Sequence, residues 1–246
     1  MPELPTRAGA HTSDAFIRHV GHDLRSSLNA VVAWGELVRG GQLPPEELTR
    51  AGDTIVRQAR QLSRRLSDAL DLWRLDVGAL TFTPAPSGVL SAVRSAVEAS
   101  RLQFEARRVE CRLTAEADGA ATLDTMRLTQ AITLLLMDAA LNTSAGDAVD
   151  VRIVARDGGI ALTITGGGKP PGDQAFDRDR TDTSPLDGTR PFDFGLSLAQ
   201  TLLSLNLSTL SVDRADGERV VFVVLIDAPA TPVATPAPRA SASMGT

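Results

Sequence analysis

Residues 21–29 read Gly21-His22-Asp23-Leu24-Arg25-Ser26-Ser27-Leu28-Asn29, inside a run whose apolar positions repeat at helical steps. Phe16, Val20, Leu24, Leu28, Val31, Trp34 and Val38 recur every three or four residues, so the spacing predicts an amphipathic helix from Ser13 to Arg39. Ser13 with Asp14 offers an N-terminal cap. His22 lies two residues from both Val20 and Leu24. At about 100° per residue it falls roughly opposite both, away from the apolar stripe. A solvent-facing imidazole is largely neutral, and therefore nucleophilic, at neutral pH. Asp23 can take a proton as the other ring nitrogen attacks phosphorus, and Arg25, three residues on, can meet phosphate oxygens. The arrangement suits an imidazole that accepts and passes on a phosphoryl group. By itself, a histidine on the polar side of a helix is an ordinary solvated residue, and His19 gives it a metal pair with no third ligand.

Outward from this helix, Gly40-Gly41 stops it and Pro44-Pro45 restarts the chain as a second helix, Pro45 to Asp76, with Leu48, Ile55, Leu62, Leu66, Leu70 and Trp73 as its stripe. Two long helices with narrow apolar stripes cannot enclose a core. Pairing with a second copy to make a dimeric four-helix bundle solves that problem. Beyond Val77-Gly78 the pattern changes. Ala79–Pro84 reads as a strand, Val89–Arg107 as a helix, Glu110–Ala115 as a strand and Thr125–Leu141 as a helix. Val149–Ala155 and Ile160–Thr165 alternate around Asp157-Gly158-Gly159 as a hairpin. Gly166 to Pro191 is rich in Gly, Pro and Asp and reads as a mobile loop. A helix at Phe194–Leu205 and strands at Thr209–Arg214 and Arg219–Ile226 follow. The expected class is α+β: a helical hairpin over residues 13–78, an α/β sandwich with an antiparallel sheet over 79–227, and a disordered Pro/Ala-rich tail over 228–246.

Composition narrows the function classes. The 246 residues carry a net charge of −5, giving the whole chain no electrostatic bias toward nucleic acid or anionic lipid. The single cysteine, Cys111, excludes an intramolecular disulfide and a cysteine-cluster metal site. No apolar run is long enough to span a bilayer, and residues 1–12 lack a signal pattern, so a cytoplasmic protein fed by another protein's signal is expected.

Residues 16–39 resemble the first helix of the dimerisation and histidine-phosphotransfer domain of two-component histidine kinases, where the histidine is followed by an acid, a Leu-Arg pair and a small polar residue. Asp23, Leu24-Arg25 and Ser26 match that pattern, and Ser27 stands where proline is usual. Leu70-Asp71-Leu72-Trp73-Arg74-Leu75, with Gly78 and Leu80, resembles the exit from the family's hairpin, and the likeness runs to about residue 226. The resemblance implies His22 as phosphoacceptor, Asp23 and Arg25 as its helpers, and Ser26 where the family places a residue that aids receiver dephosphorylation. It also implies a second domain of the HATPase (GHKL) type.

That second domain departs from the family's ATP motifs. Aligning Arg127-Leu128 and Gln130 with the family places Leu134 and Asp138 where two asparagines are usual, and Leu141-Asn142 where a basic-aromatic pair is common. Asp138 can still ligate a hard cation through oxygen; Leu134 cannot. The family's Asp-x-Gly-x-Gly becomes Ile164-Thr165-Gly166-Gly167-Gly168, with an alkyl chain in place of the adenine acceptor. Losing that charged hydrogen bond typically costs about 1.5–3 kcal/mol. In the last glycine box Gly195 is kept and Ser197 replaces the second glycine, crowding a backbone that would approach phosphates. Gly166, Gly168, Gly195 and Asp138 are therefore the remnants of a degenerate nucleotide pocket. ATP and Mg²⁺ are cofactors only if it still binds, and no metal site is expected. The expected function is a histidine phosphotransferase, with response-regulator receiver domains, a second copy and an upstream hybrid kinase as partners. A sensor-less kinase and a non-catalytic dimeric scaffold are the alternatives.

Overall fold

The computed structural model describes residues 14–41, 43–156, 158–171, 173–176, 195–215 and 219–232. Contacts divide the chain into two compact units, Met1–Thr81 with Pro171–Leu198, and Phe82–Pro170 with Ala199–Thr246.

The first unit carries two antiparallel helices, α1 (Asp14–Arg39) and α2 (Pro45–Asp76). Gly40 and Gly41 end α1, and Gly41 takes a φ of +66° that only glycine adopts cheaply. Pro45 opens α2 where its missing N–H is harmless, Glu46 and Glu47 sit in the positive first turn, and Arg74 in the negative last turn. Its end is a Schellman cap. Gly78, at φ +67°, donates to Leu75 O (3.2 Å), and Ala79 donates to Arg74 O (2.7 Å). Along α2, Ala51, Ala69 and Leu72 are buried, while Leu66, Leu70 and Trp73 stay 42–47% exposed on a second stripe.

Two sheets organise the second unit. Strands β1 (Ala85–Gly88), β3 (Ala117–Leu123) and β8 (Ala230–Pro232) form a three-stranded antiparallel sheet in the order β1-β3-β8. Strands β2 (Glu110–Ala115), β4 (Ala148–Arg156), β5 (Gly159–Gly166), β7 (Arg219–Ile226) and β6 (Ser208–Ala215) form a five-stranded sheet in the order β2-β4-β5-β7-β6. Helices α3 (Val89–Arg107) and α4 (Thr125–Asn142) pack on each other, and α4 packs on β5. A short 3₁₀ turn (Asp173–Phe176) and α5 (Gly195–Leu205) complete the described elements. Leu128, Ile132, Leu135 and Leu136 of α4 and Leu162, Ile164, Phe222 and Val224 of the sheet lie in the closed core.

Four expectations change. Ala79–Pro84 is not a strand: Ala79 and Leu80 cap α2 through Arg74 O, and the strand begins at Ala85. Pro86 is tolerated there because β1 is an edge strand. The larger sheet is mixed, since β2 pairs parallel with β4 while its other pairs are antiparallel. The unexpected strand β3, Ala-Asp-Gly-Ala-Ala-Thr-Leu, is too poor in β-branched residues to signal itself. The chain also stays folded past 227. Ala228 is fully buried and Ala230–Pro232 pair with β3, so only the tail from 233 onward lies outside the described residues. Most of the expected loop, residues 172 and 177–191, is outside them as well, as are Phe194 of the expected helix and Asp157 of the hairpin turn.

The Schellman cap sets a stability test. Gly78→Ala forces an L side chain into the left-handed region at a cost of about 1 kcal/mol, read as a lower denaturation midpoint with an unchanged slope.

Candidate functional site

His22, Asp23, Arg25 and Ser26 all lie within α1, eight to twelve residues from its start at Asp14. The helical register brings positions 22, 25, 26 and 29 to one side of α1. On that side Arg25 and Asn29 are exposed; the side chains of His22, Asp23 and Ser26 lie outside the described residues. Leu28 and Val32 are about half exposed, leaving α1 an apolar flank besides the one turned to α2.

In the second unit the nucleotide-pocket positions have specific surroundings. Ile164 lies two residues before the end of β5, opposite Val151 of β4 and Phe222 of β7. It is 0% exposed, and its two neighbours are 1% exposed. Ile164 is a core residue. An aspartate there would put a charge among apolar side chains.

The glycines after it are explained by close approach. A Cβ on Gly166 would meet Thr143 Oγ1 at 3.0 Å and Ala139 Cβ at 3.2 Å. On Gly168, at φ +87°, it would meet Asn142 Cβ at 2.9 Å. Gly167 N donates to Thr143 Oγ1 (2.8 Å), and that hydroxyl donates to Ala139 O (2.7 Å). Thus the glycine turn is stitched to the last turn of α4, the turn that follows Asp138. Asp138 is partly exposed, and its carbonyl accepts from Asn142 Nδ2 (2.7 Å). The structure therefore brings Gly166 and Gly168 to the end of the helix that carries Asp138, while Gly195 opens α5 and is buried with Leu196, Ser197 and Leu198. Thr143 is the residue that sequence reasoning missed. Its signal was only a β-branched hydroxyl just after a helix end.

Beside the glycine turn lies a cleft of about 390 Å³ whose walls include Arg112, Asp147, Asp150, Gly167 and Arg219. Its cations are already engaged: Arg219 Nη2 donates to Asp150 Oδ2 (2.7 Å) and Thr165 O (3.2 Å), and Arg112 Nη2 donates to Glu110 Oε2 (2.6 Å). Nearby Cys111 is no nucleophile. Burial first, and Asp150 second, push its thiol up to about 11. Among the described residues no cluster of metal-ligating side chains occurs.

The burial of Ile164 yields graded outcomes in chemical denaturation. Ile164→Val removes one methylene and costs about 1 kcal/mol. Ile164→Asp strands a carboxylate in the core, costs more than about 3 kcal/mol, and does not restore nucleotide binding.

Comparison with known proteins places these features. The His Kinase A (phospho-acceptor) domain family matches residues 12–78. The sensor histidine kinase GacS of Pseudomonas protegens is 24% identical over 236 residues, covering 88% of this chain but 25% of GacS, so the chain spans about a quarter of that relative's length. Among solved structures, the Acinetobacter baumannii histidine kinase AdeS superposes with a TM-score of 0.60 at 16% identity, covering 85% of this chain and 98% of its own. The histidine kinase ThkA, solved in complex with the response regulator protein TrrA, superposes with a TM-score of 0.61 at 14% identity, covering 87% of this chain and 61% of its own. The chain thus carries a His Kinase A (phospho-acceptor) domain at residues 12–78, is similar in sequence to sensor histidine kinases, and has the fold seen in the two solved kinases.

Proposed function

We propose that this chain is a histidine phosphotransferase of two-component signalling, taking a phosphoryl group from a receiver aspartate onto His22 and passing it to another. The observation that carries this reading is Ile164, sealed in the core where a kinase of this family needs an acid for adenine. Leu134 and Ser197, in place of an asparagine and a glycine, point the same way. Gly166 and Gly168 are accounted for by their packing on α4 and need no phosphate.

The chemistry asks little of the second unit. A neutral ring nitrogen of His22 attacks the phosphorus of an acyl phosphate. A P–N bond forms, the acyl P–O bond breaks, and the receiver aspartate leaves as a carboxylate. Asp23 takes or hydrogen-bonds the proton on the other ring nitrogen, and Arg25 faces the phosphoryl oxygens. Transfer onward reverses these steps on a second receiver. Ser26 gives the same helix a candidate role in receiver dephosphorylation. An upstream hybrid kinase is one source of the phosphorylated receiver, and ThkA, solved with a response regulator, illustrates the kind of partner. The exposed stripe of Leu66, Leu70 and Trp73 supports a second copy as the other half of a four-helix bundle. Among the described residues no helix is long and apolar enough to cross a membrane, which fits the expected cytoplasmic setting. The domain limits we assign are 13–78 for the hairpin and 79–232 for the sandwich, with β8 as its last strand.

A second reading, a kinase that phosphorylates His22 from ATP, is favoured by one feature: Asp138 keeps a partly exposed oxygen ligand for Mg²⁺ on α4. A scaffold reading predicts that His22→Ala has no effect. Mixing the protein with a panel of phosphorylated receivers separates the three. Label is expected on the wild type and none on His22→Ala, with Asp23→Asn slowed about 10²-fold. No label on the wild type, or undiminished label on His22→Ala, contradicts the phosphotransferase reading.

A further inference from the structure

Between Thr54 and Ser67, α2 carries four arginines and no acid, in a chain whose net charge is −5. Arg57, Arg60 and Arg64 recur at steps of three and four, so at about 100° per residue they lie within roughly 60° of one another. That side of the helix is opposite the buried Ala51 and Ala69 and apart from the exposed stripe of Leu66, Leu70 and Trp73. Arg57 and Arg60 are exposed, and Arg64 is partly exposed. Among the described residues none of the three is ion-paired; Arg57 Nη2 donates to the Thr54 hydroxyl (3.0 Å). Helix α3 treats an arginine differently, since Arg101 is paired with both Glu98 (3.1 Å) and Glu105 (2.8 Å). Like charges three and four residues apart weaken a helix, so the stripe on α2 does nothing for the stability of the hairpin.

The stripe stands at the level of His22. In an antiparallel pair, positions equally far from the turn share a level, so Arg39 at the end of α1 is level with Pro45 at the start of α2. Counting back, His22 is level with Leu62, and Arg60 and Arg64 lie on either side of that level, each roughly 3 Å along the axis. An acyl phosphate arriving at His22 is an anion, and it is carried there on a protein surface. A row of unpaired guanidinium groups at its destination attracts an acidic surface, orients it and speeds encounter. Arginine suits that task better than lysine, because each planar fork can grip a carboxylate with two parallel bonds. We propose that Arg57, Arg60 and Arg64 form a docking stripe for a receiver whose surface around the phosphoryl aspartate is acidic. This role rests on the reading that receivers exchange phosphoryl groups with His22, and it adds the helix side and the charge by which they are selected. The three arginines serve recognition and touch no reacting atom.

The full chain carrying Arg57→Gln, Arg60→Gln and Arg64→Gln together tests it. These changes remove like-charge repulsion, so the variant is expected to fold, as circular dichroism checks. With a panel of purified receiver domains, binding is read by fluorescence anisotropy and label transfer to His22 by initial rates. For the receiver that the wild type prefers, affinity is expected to fall at least about 10-fold between roughly 50 and 300 mM salt. The triple variant is expected to bind at least about 10-fold more weakly at the lower salt, with a flatter salt dependence. Where label is transferred, the loss falls on the half-saturating receiver concentration more than on the limiting rate. A control with Arg94→Gln, Arg107→Gln and Arg156→Gln, exposed arginines of the second unit, changes the net charge equally and is expected to alter binding less than about 2-fold. Salt-dependent binding without label leaves the docking stripe standing and contradicts the phosphotransferase reading. Label with binding that the triple variant does not weaken does the reverse. No receiver bound, an equal loss in the control, or uptake of the wild type by phosphatidylglycerol vesicles in place of receivers overturns the proposal.

Discussion

Ile164 lies between Val151 and Phe222 with no exposed surface, and that packing governs what the second unit can do. The three side chains come from three neighbouring strands, so the position is interior to the five-stranded sheet and inherits the cost of any charge placed there. Two residues later the chain turns against the end of α4, where Gly166 and Gly168 leave no room for a Cβ and Thr143 accepts the Gly167 amide. Sealing the core at Ile164 and seating the glycine turn on α4 are one continuous arrangement. The close backbone approach at the glycine turn is required by packing, with or without a phosphate.

The hairpin has the complementary character. It is held by a buried strip of Ala51, Ala69 and Leu72 and by well-made helix ends, yet it leaves a second strip of large apolar residues on α2 uncovered. Such a strip on a protein this polar calls for a partner surface. In the function we propose, His22 on one side of α1 and an association surface on another operate without the sandwich supplying any chemistry. At the start of the sandwich, the Thr83 amide is bonded to the Asp124 carboxylate that caps α4.

The long helices were legible because their apolar residues repeat over many turns, and the strands β4, β5 and β7 because theirs alternate. The strands β1, β3 and β8 were not. Each is short or built from Ala, Gly, Thr and Pro, and each exists through pairing that no local pattern announces. The parallel β2–β4 pair was hidden for the same reason: register between distant segments is a tertiary property. In the candidate site, the replacement at Ile164 was visible as a residue type, but its consequence required knowing that the position is interior. Thr143 and Asp124 gave no advance sign of their roles, since a hydrogen bond across 24 or 41 residues leaves no periodicity behind.

The most direct measurement is a calorimetric titration of the full chain with ATP in excess Mg²⁺, followed by assay of His22 for label from γ-labelled ATP. A pocket sealed by Ile164 is expected to give no saturable heat at millimolar nucleotide and no label. A Kd tighter than about 100 μM together with Mg²⁺-dependent phosphorylation of His22 would contradict a phosphoacceptor that depends on receiver aspartates for its phosphate.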